Sequence, residues 1–79
     1  MNKSQIEQQV IDILKKKLFI DDITIESNLH SGLGADSLDF MESIMEFENH
    51  FKITIPETES IKFETVADIC NYIETVIPA

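Results

Sequence analysis

The chain has no arginine and no tryptophan, and only one cysteine, two glycines and two prolines among its 79 residues. Without arginine there is no bidentate fork for a base edge or a phosphate, and fifteen carboxylates against six lysines leave a net charge of −9. That charge repels nucleic acid and anionic membranes and predicts partners with basic patches. A single cysteine, Cys70, excludes an internal disulfide and any cysteine-pair metal site. No apolar run reaches membrane-spanning length, and "MNKSQIEQQ" lacks the apolar core of a signal peptide, so no membrane insertion and a cytoplasmic location are expected. Few glycines and prolines beside 43% hydrophobic residues favour helices. The length suits one domain, residues 1–79, and leaves little room for a deep catalytic cleft.

What is present is helical period. In "SQIEQQVIDILKKKLF", Ser4 and Glu7 have capping-box spacing, and Ile6, Val10, Ile13, Leu14 and Leu18 share one face. Lys15, Lys16 and Lys17 close this first helix, expected over Ser4 to Leu18, where its dipole favours cations. From Phe19 to Ala35 no period is sustained. A connection this long should be anchored at Ile23, Ile25, Leu29 and Leu33. A second helix is expected from Asp36 or Ser37 to His50 or Phe51, and Pro56 makes Ile55 extended. Residues 57–61 suit one short turn. Thr65 and Asp68 then cap a last helix with Val66, Ile69, Cys70, Ile73, Val76 and Ile77 on its apolar stripe, ended by Pro78. The expected fold is all-α: a small four-helix bundle, three main helices and a short one, with a long loop between helices one and two.

The run "GLGADSLD" stands where the second helix begins. Asp36 or Ser37 can cap that helix, with Asp39 in its first turn. Capping does not account for Gly32 and Gly34, which form a tight, unbulky approach and leave the Ser37 hydroxyl accessible as an attachment point. Cap and attachment point both remain open on these residues alone.

Catalysis is the weaker alternative. A nucleophilic serine needs a base and usually an elbow of the G-x-S-x-G kind, whereas Ser37 lies in "ADSLD". His30 is in the loop, and His50 lies about four turns along the same helix. "GLGADS" lacks the third glycine and the lysine of nucleotide-binding loops, and no calcium-loop spacing occurs. No catalytic residue and no metal ligand is assigned, and the chain is not expected to be an enzyme. Cys70 reads as a small buried hydrophobe, and the histidines as surface or loop residues.

"LGADSLD" followed by a helix, then "F-x-I-x-IP" and "TVADICNYI", resembles the acyl carrier proteins of fatty-acid and related synthesis, in ordered spacing over about residues 29–73. The resemblance implies that Ser37 carries a 4'-phosphopantetheine arm, donated by coenzyme A through a phosphopantetheinyl transferase. The arm ends in a thiol that holds acyl groups as thioesters. Other implied partners are acyltransferases and synthases with basic docking patches, met by a monomer.

A projection of the second helix places Asp39, Glu42 and Glu46 on one stripe with Ser43 and Asn49 beside them, and Phe40, Met41, Ile44, Phe47 and Phe51 on the apolar side. The resemblance gives partner recognition to Asp36, Asp39, Glu42, Glu46 and, nearer the apolar side, Glu48. Leu38 and Met45 border the stripe and add apolar contacts. Two rivals stand beside this reading: a dedicated carrier of a specialised lipid, polyketide or aminoacyl pathway, and an unmodified acidic adaptor in which Ser37 is only a cap.

Overall fold

The computed structural model describes residues 2–29 and 37–77, and at Ser37 the backbone alone. Four helices follow in order: α1 (Lys3–Leu18), α2 (Ser37–Phe51), α3 (Glu57–Ser60) and α4 (Val66–Val76). Helix α1 packs against both α2 and α4. The shared interior takes Ile6, Val10 and Leu14 from α1, Ile44, Phe47 and Phe51 from α2, and Val66, Ile69, Cys70 and Ile73 from α4. Ile23, Leu29, Ile55 and Phe63 close it from the connections. This is the expected all-α bundle. Its helices are stabilised mainly by burying one apolar face each.

The helix ends show which local signals won. Helix α1 starts one residue earlier than expected, because Asn2 and not Ser4 is the cap. The Asn2 side chain accepts from the Gln5 N–H at 2.9 Å, and Gln5 returns a bond to the Asn2 N–H at 3.0 Å. Asn2/Gln5 and Ser4/Glu7 both have box spacing, and capping at the outer pair brings Lys3 and Ser4 into the helix. At α4 the expected box forms: Thr65 Oγ1 accepts from Asp68 N–H, while Asp68 Oδ2 accepts from Thr65 N–H and Glu64 N–H at 3.0 and 2.9 Å. Ile77 is extended ahead of Pro78, which itself lies outside the described residues.

Neither α1 nor α2 ends on a glycine. Phe19 (φ 56°) and Lys52 (φ 59°) take the left-handed backbone that closes each helix. The Phe19 N–H donates to the Lys15 carbonyl and the Ile53 N–H to that of Glu48, so one carbonyl in the last turn of each helix is satisfied. Each side chain costs roughly 1 kcal/mol there relative to glycine. At Phe19 the ring is almost wholly in water.

The described part of the long connection is pinned as expected by buried Ile23 and Leu29, with Ile25 half-buried; Leu33 lies outside the described residues. Its backbone also serves α4. The first amides of that helix, Val66 and Ala67, donate to the carbonyls of Ser27 and Ile25, and Leu29 N–H donates to Glu64 O at 2.8 Å. Helix-end donors that would otherwise face water thus hold the loop against the bundle. Val76, placed on the apolar stripe of α4 by its spacing, is 39% exposed, because the helix runs past the core in its last turn.

Candidate functional site

The candidate site is α2 and its N-terminal end. The helix begins at Ser37, so its first-turn amides, the positive end of the dipole, lie next to that residue. Asp36, His30, Gly32 and Gly34 lie outside the described residues. Leu38, directly after Ser37, is 66% exposed, so open apolar surface lies in the first turn of α2. A phosphodiester suits the Ser37 position, since helix N-termini favour anionic oxygens.

Along the outer face, Glu42 and Glu46 are exposed and Asp39 is half-buried. Leu38 and Met45 are exposed, as expected, but the projection misassigned two neighbours. Met41 is 62% exposed and joins Leu38 and Met45 at i, i+3 and i+7, forming a continuous apolar stripe beside the acids. Ser43 goes the other way. It is 1% exposed, and its hydroxyl donates to the Asp39 carbonyl one turn back at 2.9 Å, satisfying the donor inside the bundle. An averaged helical wheel cannot assign either residue. The edge of the buried face depends on the packing around α2, and the small serine goes inside while the flexible methionine stays out.

Glu48 has a structural task that spacing did not reveal. Its carboxylate accepts the Ile55 N–H at 2.8 Å, tying the segment after α2 back to the helix. The bond joins residues seven apart across a chain reversal, so no helical period signals it. Glu46 is likewise engaged: Lys17 Nζ lies 3.8 Å from its carboxylate, across the α1–α2 seam. Both groups are partly solvated, so the pair adds little stability but holds positive charge beside the acidic stripe. A second link across the seam joins His50 Nε2, as donor, to Gln9 Oε1.

No group of three or more potential metal ligands occurs among the described residues. Burial, with a smaller contribution from Glu7, pushes the Cys70 thiol up to about 11, leaving it protonated and enclosed. None of the described helices is long and apolar enough to cross a membrane.

Comparisons with known proteins converge on one family. Residues 8–73 match the model of the phosphopantetheine attachment site. An acyl carrier protein of Amoebophilus asiaticus is 45% identical over 73 residues, spanning 90% of this chain and 91% of that protein. One from Azobacteroides pseudotrichonymphae is 44% identical over 75 residues, spanning 91% and 88%. A solved structure from Mycobacterium tuberculosis, described as an acyl carrier protein, superposes with a TM-score of 0.84 at 28% identity, covering 89% of this chain and 96% of that one.

Proposed function

The chain belongs to the acyl carrier protein family, whose members bear covalent 4'-phosphopantetheine and serve synthases and acyltransferases as carriers rather than catalysts; from that premise we propose that Ser37 is the attachment residue and α2 the docking helix. When bound, the group supplies a terminal thiol that holds acyl cargo for fatty-acid or related synthesis. The observation that carries the reading is that one helix combines a serine at its first position with an exposed Leu38–Met41–Met45 stripe flanked by Asp39, Glu42 and Glu46.

The chain's residues then divide the work. The α2 dipole and the first-turn amides stabilise negative charge at Ser37. Asp39, Glu42 and Glu46 steer basic partners, including the phosphopantetheinyl transferase, and salt weakens that steering. Leu38, Met41 and Met45 lose water on docking and supply short-range contact. Asp36 belongs to the same recognition set by its place next to Ser37, and Glu48 contributes by fixing the far end of the helix. We take residues 1–79 to act as one monomeric carrier unit in the cytoplasm.

The test is intact mass before and after incubation with coenzyme A and a broad-specificity phosphopantetheinyl transferase. The wild-type chain is expected to gain one phosphopantetheine and a folded Ser37→Ala variant none. A folded, unmodified chain that gains nothing would return the reading to the unmodified acidic adaptor.

A further inference from the structure

Phe19 is 93% exposed, the most exposed of the large apolar side chains described, and it stands in left-handed backbone that glycine occupies more easily. Two unfavourable choices therefore coincide at one position, and the bundle gains from neither. Closing α1 requires only the left-handed turn and the Phe19 N–H bond to Lys15. The next apolar residue, Ile20, already packs against the core.

Its surroundings are unusual for this chain. Lys15, Lys16 and Lys17, half of the six lysines, precede it with only Leu18 between. Lys17 is held by Glu46, whereas Lys16 is exposed and forms no ion pair among the described residues. The links Gln9–His50 and Lys17–Glu46 run in opposite chain directions, so α1 and α2 are antiparallel. Phe19 thus lies toward the end of the bundle where Ser37 opens α2.

We propose that Phe19, with Lys15 and Lys16, is a second docking anchor, received by an apolar pocket with a carboxylate rim on a partner enzyme that also engages α2. The inference rests on the reading of α2 as the docking helix. Charge favours a protein over a lipid surface, because exposed Asp21 and Asp22 follow the ring and the whole chain carries −9. It also gives selectivity. An enzyme with a uniformly basic patch meets repulsion at Lys15 and Lys16, whereas one with a mixed patch gains both the pairings and the ring. Exposed aromatics entering a pocket are typical binding hot spots.

The test uses the full chain, wild type and Phe19→Gly, with the purified phosphopantetheinyl transferase and a condensing synthase encoded in the same genome. Phe19→Gly is expected to raise the thermal midpoint by about 4 °C through relief of the left-handed backbone. It should also raise KM about tenfold with at least one of these enzymes at unchanged kcat. Lys16→Glu should raise KM with that same enzyme, the effect shrinking at high salt. Unchanged KM values for both enzymes would overturn the proposal, as would Phe19-dependent sedimentation of the chain with equimolar phosphatidylglycerol/phosphatidylcholine vesicles. A wild-type chain that never gains phosphopantetheine would overturn the α2 reading itself, a failure separate from a loaded chain whose KM ignores Phe19.

Discussion

Side chains of one chemical type have opposite fates in this protein, decided by position. Ser37 opens α2, whereas Ser43, six residues on, is sealed inside with its hydroxyl donated to Asp39. Ser43 is closed to a modifying enzyme. Thiols divide the same way. Cys70 is enclosed and its pKa is pushed up to about 11, so a native loaded chain should show one thiol to an aromatic disulfide reagent, that of the arm, and a denatured one two. Two thiols reacting at equal rates in the native state would contradict the enclosure of Cys70. Phe47, fully buried on α2, marks the stability side of that helix. Phe47→Ala should cost about 3–5 kcal/mol, enough to unfold much of a domain this small, seen as a collapse of the cooperative thermal transition.

At the scale of the element, the ends of helices carry the argument. The Asp68 carboxylate is held below its ordinary value of 3.8, first by the Glu64 N–H, then by the Thr65 N–H and hydroxyl. A depressed folded-state pKa gives stability that is complete above the unfolded value and lost as pH falls through the folded one. Asp68→Asn should therefore melt below the wild type at pH 6, the gap closing from about pH 4 downward. A gap independent of pH would mean that geometry, not charge, makes the cap. Thr65→Ala should cost about 1 kcal/mol at any pH in this range. That box was legible because Thr65 and Asp68 had no competitor nearby. The start of α1 was not, since Asn2/Gln5 and Ser4/Glu7 overlap and only formation of the outer turn decides between them. The left-handed ends at Phe19 and Lys52 were equally hidden, because sequence signals that turn through glycine and neither helix has one.

Across the whole molecule, periodicity reveals the deeply buried stripe of each helix, and misleads at the edges of that stripe. The core stripes of α1 and α4 follow their spacing closely. On α2 the exchange of Met41 and Ser43 falls at such an edge, and the Glu48–Ile55 bond ties the helix to the segment after it, which no local pattern encodes. The exposed ridge of α2 was still readable in outline, because Leu38, Glu42, Met45 and Glu46 lie clear of that edge. On the proposed reading of α2 as the docking helix, a carrier of net charge −9 should lose affinity for basic partners steeply with salt. Raising ionic strength from about 0.01 to 0.15 M should increase KM for the transferase several-fold and leave kcat nearly unchanged. An insensitive KM would shift the weight of recognition from the acids to the apolar stripe.

The claim on which the account turns is that one particular serine bears the arm. It is tested most directly by fragmenting the loaded chain in a mass spectrometer and locating the added group. The account predicts the whole increment on Ser37 and none on Ser4, Ser27, Ser31, Ser43 or Ser60. An increment on any other side chain, or one spread over several, would contradict it.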